Sequence, residues 1–193
     1  MLTIERKKRF LELLELVYPR LSRYALAMTR NKDEAKDLVS EAVLVALEEF
    51  DSIRDEAGFA GFLFRIVSRT YKRTHFRARI WTPLAPMHSE TILDVNAQSD
   101  RAAELAIVMA ALERLPEKTK ETLILFDVAD LSLEEIRVIQ GGSLSGVKSR
   151  LRRGHEAVKK HLGIVDESQK ARIKSEGARH EVLLFEGAET YAT

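Results

Sequence analysis

Apolar residues recur every three to four positions through stretch after stretch of this chain, and that periodicity limits its fold more than any other feature. Ala35, Leu38, Val39, Ala42, Val45 and Ala46 fall on one stripe of a helix, while Asp37, Ser40, Glu41, Leu44 and Glu48 lie off it. Leu44 is thus an apolar residue outside the buried face, and an exposed apolar group beside acids suits a protein partner. A second stripe runs through Phe59, Phe62, Leu63, Ile66, Val67, Thr70 and Tyr71. A strand would place such residues on both of its faces, so the pattern belongs to helices. Nine Gly and four Pro in 193 residues are too few for a sandwich of many short strands. The fold class predicted is all-α.

Breaks in the periodicity divide the chain. Phe10, Leu13, Leu14 and Val17 follow helical spacing up to Pro19, which has no N–H to donate and is expected to end or kink the first helix. A second helix, with Leu21, Tyr24, Ala25 and Met28 on its stripe, would run from there to the polar turn Asn31-Lys32-Asp33, where Asn or Asp can cap the next helix. A loop from Phe50 to Gly58 precedes the Phe59 stripe. These four helices make a first domain, residues 1–80. Between 81 and 100 the periodicity stops, and Pro83, Pro86, Ser89, Asn96 and Ser99 give the composition of a flexible linker. A second helical domain, residues 101–163, follows, with Leu105, Val108, Met109 and Leu112 on one stripe and Pro116 at a first helical position. The tail, residues 164–193, is polar except for Val182 to Phe185, a cluster expected to fold back on the helical domains because it would otherwise be exposed.

The formal net charge of +1 conceals a sorting of charge along the chain. Asn31 to Glu56 holds three cations against nine acids and should repel nucleic acid. Arg65 to Arg79 holds Arg65, Arg69, Lys72, Arg73, Arg77 and Arg79 with no acid, and interleaves Tyr71, His75 and Phe76. Lys148 to Lys160 again carries six cations, opposed by Glu156 alone. Two basic faces of this kind are electrostatic footprints for phosphate.

The second basic face belongs to a recognisable motif. Ser132 with Glu135 three residues on is a capping box that starts a short helix, Ile136 and Ile139 point inward, and Gly141-Gly142 permits a tight turn. The next helix begins near Ser143 to Ser145. Its Val147 and Leu151 face inward to meet Ile136, which turns Lys148, Arg150, Arg152 and Arg153 outward. This is the layout of a helix-turn-helix whose second helix enters a major groove.

Taken together, the two halves resemble the extracytoplasmic-function group of bacterial sigma factors, over about Leu13 to Leu162. The stretches that carry the resemblance are YPRLSRYALAMTRNKDEAKDLVSEAVLVAL, FAGFLFRIVSRTYKR, ALERLPEKTKETLIL and VKSRLRR, in that order. The resemblance implies a transcription initiation factor with no active site of its own, which binds core RNA polymerase and directs it to promoter DNA. It assigns polymerase binding to Asp37, Leu38, Ser40, Glu41 and Leu44. It assigns the minus-ten element, captured as a single strand, to the loop at Ser52 to Gly58 and to Arg65, Arg69, Lys72 and Arg73. It assigns the minus-thirty-five duplex to Ser145, Lys148, Arg150 and Arg153. An anti-sigma factor that hides the polymerase-facing helix is the further partner implied. The chain departs from the family where Ser40 replaces a usual Gln, Phe62 a Trp and Arg69 an Asn. In the helix-turn-helix, Arg137 stands for a small Ala packed between the helices, and Gly146 and Gly154 for Thr and Ala.

Two other readings stay open at this point. One is a conventional helix-turn-helix regulator that dimerises through its first half and binds a palindrome. The other is a sigma-like protein that engages partner proteins without reading DNA, which the unusual helix-turn-helix residues allow. Catalysis is not expected. There is no Cys, the five His show no metal-ligand spacing, and no Gly-rich phosphate loop or catalytic carboxylate pair is recognisable. No cofactor or metal is therefore predicted. With no apolar run near the ~20 residues of a spanning helix, the expectation is a cytoplasmic protein without membrane insertion, monomeric when free.

Overall fold

In a computed structural model of the chain, the structure describes residues 3–53, 56–81 and 99–164, and among these every regular element is a helix. α1 spans Ile4–Thr29, α2 Lys32–Glu49 and α3 Phe59–Trp81; α4 spans Ser99–Glu113, α5 Glu117–Leu123, α6 Leu133–Gln140 and α7 Leu144–His161. Between α5 and α6 the helix widens into one π turn, Ile124–Val128.

The largest departure from the sequence reading lies in α1, which runs unbroken through Pro19, so the first half has three helices and not four. A proline inside a helix costs about 3 kcal/mol through its missing N–H and its ring. Here the residues on either side are held by burial: Val17, Leu21, Tyr24, Ala25 and Met28 are all in the core. Each large apolar side chain so buried contributes about 1.5–3 kcal/mol, enough together to outweigh one lost bond. The start is fixed by Thr3, whose Oγ1 accepts from the Arg6 N–H, and the end by Arg30 in the left-handed region, φ 57°, whose N–H bonds the Leu26 carbonyl.

Asn31 caps α2 as its type suggests, its side chain accepting from the Asp33 and Glu34 N–H groups. The stripe of α2 turns inward, with Ala35, Leu38, Val39, Ala42 and Ala46 buried. Phe50, placed in a loop by sequence, is instead 1% exposed and packs edge-to-face with Phe10 and Phe59, the centroids 5.2 and 5.7 Å away. These aromatics close the far end of the α1–α2–α3 bundle. α3 is buried on a broader front than its stripe predicts, because Phe64 and Ser68 are covered as well as Leu63, Val67 and Tyr71.

The second half is built around α5 and α7. Gly154 sits where α7 crosses α5, and a Cβ there would fall 2.2 Å from Leu123 Cδ1 and 3.0 Å from Thr119 Cγ2. The glycine that sequence reading counts against helix stability is what lets the two helices approach. α6 begins with the predicted capping box, Ser132 and Glu135 satisfying each other's N–H groups. Gly141 and Gly142, φ 69° and 93°, make the turn that no other residue type adopts readily. Ile136, Ile139 and Val147 fill the angle between α6 and α7, whereas Arg137 turns away from it to pair with Glu134. α4 is anchored near its end, where Ala111 and Leu112 are buried and Met109 packs against the core, while Leu105 and Val108 stay substantially exposed.

The two halves share one core. α1 rests on the π turn, and α3 rests on α6. Of the linker expected at 81–100, residues 82–98 lie outside the described residues, as does the tail from 165 on, including Val182 to Phe185.

Candidate functional site

Three surfaces follow from how these helices are turned. On α2 the inward stripe leaves Asp37, Ser40, Glu41 and Leu44 on the opposite side, all exposed, with Leu44 61% accessible. They recur at intervals of three and four residues and form one strip about two turns long. Leu38, grouped with them by the family resemblance, is 7% exposed and packs in the core, so it holds the helix in place beneath the strip. The expected apolar residue among acids is therefore present as a surface.

The second surface is the outer side of α3. Arg65, Arg69, Lys72 and Arg73 are exposed and lie along the helix at i, i+4, i+7 and i+8. Two are committed to partners. Arg73 Nη2 lies 2.7 Å from Glu41 Oε1, so the acidic strip of α2 and the cations of α3 meet along one edge. Lys72 Nζ lies 2.8 Å from Glu121 Oε2, in the second half of the chain. Beside them the His75 ring packs at a tilt against Tyr71, 4.1 Å between centroids, and burial lowers its pKa below the ordinary imidazole value. Of the loop at Ser52 to Gly58, residues 54 and 55 are outside the described residues, as are the side chains of Arg77 and Arg79.

The third surface is the outer side of α7, where Ser145, Lys148, Arg152 and Arg153 are exposed. Arg152 pairs with Glu156 at 3.0 Å, and Arg153 donates to the Ser149 carbonyl. Arg150, expected to point outward with them, is half-buried and turns toward α5 and α6. Its Nε lies 3.2 Å from Thr122 Oγ1 and its Nη2 3.1 Å from Gln140 Oε1. Three residues after buried Val147 and four before buried Gly154, it stands at the margin of the inward face.

What sequence reading missed is the node behind these surfaces. Glu121 is fully buried, and its carboxylate accepts four hydrogen bonds. Oε1 takes those of Tyr24 Oη, 3.1 Å, and Ser68 Oγ, 2.5 Å; Oε2 takes those of Lys72 Nζ and Gln140 Nε2, each 2.8 Å. Burial, with the Glu121 charge beside it, holds the Tyr24 phenol well above its ordinary pKa. Tyr24, Ser68 and Lys72 come from α1 and α3, so the carboxylate joins the two halves. Nearby, Arg20 donates to the carbonyls of Ala129 and Asp130 and Arg23 to that of Val128, satisfying the end of the π turn. No spacing rule reaches these pairs, which are 97 to 110 residues apart where α1 is involved.

Among the described residues no cluster of His, Asp and Glu could hold a metal ion, and no helix is long and apolar enough to cross a membrane. Comparison with known proteins adds the following. Residues 13–82 match the sigma-70 region 2 family and residues 105–158 the sigma-70 region 4 family. The ECF RNA polymerase sigma factor EcfG of Rhodopseudomonas palustris is 29% identical over 135 residues, which span 70% of this chain and 75% of the relative. RNA polymerase sigma factor SigV of Bacillus subtilis is 30% identical over 134 residues, 68% of this chain and 77% of the relative. Among solved structures, the sigma factor RpoE of Bartonella quintana, in complex with the anti-sigma factor NepR, superposes with a TM-score of 0.70 at 25% identity, covering 82% of this chain and 99% of that one. CnrH in complex with the cytosolic domain of CnrY superposes at 0.63 with 20% identity, covering 83% of this chain and 91% of that one, which supports the fold.

Proposed function

The chain belongs to the extracytoplasmic-function group of sigma-70-type sigma factors, and from that premise we propose how its surfaces divide the work of transcription initiation. As a sigma factor it binds core RNA polymerase and directs it to promoter DNA. Residues 1–80 act as the region 2 domain and 101–163 as the region 4 domain, with 81–100 between them as a linker. The exposed strip of α2, Asp37, Ser40, Glu41 and Leu44, docks on polymerase. Arg65, Arg69, Lys72 and Arg73 follow the backbone of the opened minus-ten strand. Ser145, Lys148 and Arg153 on α7 meet the minus-thirty-five duplex, together with Arg150 once it leaves Thr122 and Gln140. The bond-making chemistry stays with the polymerase, and the protein works in the cytoplasm.

The single observation that carries this reading is the division of charge by helix face. An acidic strip with Leu44 exposed at its end cannot serve DNA, whose phosphates it repels, and it adjoins a helix edge whose charged residues are all cations. A protein partner on α2 and nucleic acid on α3 can therefore be engaged side by side. An anti-sigma factor that covers the α2 strip would block the first contact; the RpoE relative is seen in complex with an anti-sigma factor, NepR.

The test is co-elution with core RNA polymerase on size exclusion, comparing the native chain with a Glu41→Lys plus Leu44→Ala variant of unchanged circular dichroism. Co-elution of the native chain alone supports the assignment. Equal co-elution of both proteins removes the α2 strip from the interface, and a clean homodimer that ignores polymerase favours the conventional regulator.

A further inference from the structure

We propose that Glu121 is a latch: its buried carboxylate holds the two halves of the free chain closed, and it must let go before the protein can span a promoter. A buried carboxylate is tolerated only where hydrogen bonds and a counter-charge replace the water it has lost. Three of the four donors to Glu121 come from the first half, Tyr24 and Ser68 on one oxygen and Lys72 on the other. The second half contributes Gln140 alone. The carboxylate is thus satisfied inside the protein only while α1 and α3 stay against α5. In the separated state water takes over the same four positions, so opening leaves no orphaned polar group on either side.

The closed arrangement also occupies residues needed for DNA. Lys72, one of the minus-ten cations, is the counter-charge of Glu121. Arg150, one of the minus-thirty-five cations, is drawn to Gln140 Oε1, whose amide nitrogen serves Glu121. One carboxylate therefore ties down, directly and through one amide, a cation from each DNA surface.

Dimensions require the opening. The two promoter elements differ in position by about 25 base pairs, or ~85 Å of duplex at 3.4 Å per step. A compact body of the size described here has a radius of gyration of about 15 Å and a diameter near ~40 Å. Closed, the chain cannot touch both elements. Between α3 and α4 residues 82–98 supply a contour of at most ~60 Å, so parted halves of ~20 Å each can reach.

The latch rests on the sigma-factor reading for its purpose, but its mechanical test does not involve polymerase. The chain has no cysteine, so Lys36→Cys on α2 and Ala157→Cys on α7, both at exposed positions, accept spin labels at those two places only. Pulsed dipolar spectroscopy of the free, full-length protein should give one short, narrow distance. Glu121→Ala should raise the long-distance fraction by ~10-fold or more, the factor expected for losing hydrogen bonds to a charged group. Apparent affinity for core polymerase should rise with the open fraction. Ser68→Ala with Gln140→Ala removes two donors and keeps the carboxylate; it should open the chain in the same direction if Glu121→Ala does not fold. Either variant keeping its helix content and the native distance distribution overturns the latch, as does a native chain that is already mostly long-distance. A chain that opens as described but never binds polymerase keeps the latch and overturns the functional reading instead.

Discussion

Replacing Gly154 by Ala tests the packing that aims α7. By intrinsic preference the change should help, since Gly inside a helix is about 0.5–1 kcal/mol worse than Ala. The structure predicts the opposite sign. The added Cβ would lie 2.2 Å from Leu123 Cδ1, 3.2 Å from its Cδ2 and 3.0 Å from Thr119 Cγ2. Leu123 is 3% exposed, so its side chain has little room to move aside and α7 must shift off α5. Overpacking of this kind costs about 1–3 kcal/mol. Set against the propensity gain, a net loss centred on about 1 kcal/mol and no larger than about 2.5 kcal/mol remains. Urea unfolding of the full chain, followed by circular dichroism, should show a midpoint lowered by ~0.5–1 M at unchanged slope. In a Leu123→Ala background the vacated space admits the methyl group, and the penalty should fall by at least ~0.5 kcal/mol, the scale of coupling between touching residues. A Gly154→Ala chain more stable than the native one would refute the argument, because it would mean that α5 and α7 do not need the close approach.

Ser132→Ala removes the hydroxyl that accepts from the Glu135 N–H, while the backbone N–H at 132 can still donate to the Glu135 carboxylate, and should lower stability by about 1 kcal/mol in the same urea assay, with no change in helix content. Alkaline stability follows from the buried phenols. Burial holds Tyr24 and Tyr71 protonated in the folded chain well above the ordinary value near 10. Their contribution is therefore complete below about pH 10 and is lost as pH rises through it, because the unfolded chain ionises first. A melting temperature that falls above pH 10, with the phenolate absorbance of these residues appearing together with unfolding and not before, checks this. Binding of the free chain to duplex DNA should be weak and strongly salt-dependent, and Lys148→Ala should reduce the slope of log K against log salt by ~1; a slope left unchanged would remove Lys148 from the phosphate contacts.

The sequence and the structure part company at identifiable residues. Helical stripes, the Asn31 and Ser132 caps and the Gly141-Gly142 turn were legible because each depends on neighbours within a few positions. Pro19 was misread because the local rule counts one missing bond and cannot count the burial of Val17, Leu21 and Tyr24 around it. Arg150 looks like one more cation in a basic run, yet it stands three residues after buried Val147 and four before buried Gly154, at the margin of the inward face, and this draws it inward. Glu121 was hidden most completely. It stands in EKTKETL, a stretch that reads as a solvated charged face, and only tertiary packing reveals that Lys120 and Glu121 are both buried there. Lys120 meets Glu113 at 3.3 Å, while Glu121 finds its donors on helices from the other half. The α2 strip, by contrast, could be drawn from sequence except for Leu38, whose membership in the inward stripe already places it beneath the surface.

The most direct measurement of the central claim is transcription by purified core RNA polymerase on total DNA of the source organism, with and without the chain, followed by mapping of RNA 5′ ends. The account predicts new start sites that appear only with the chain, share two sequence elements at a fixed spacing, and vanish with a Lys148→Ala plus Arg153→Ala variant that still co-elutes with polymerase. A set of 5′ ends identical to that of core polymerase alone would contradict it.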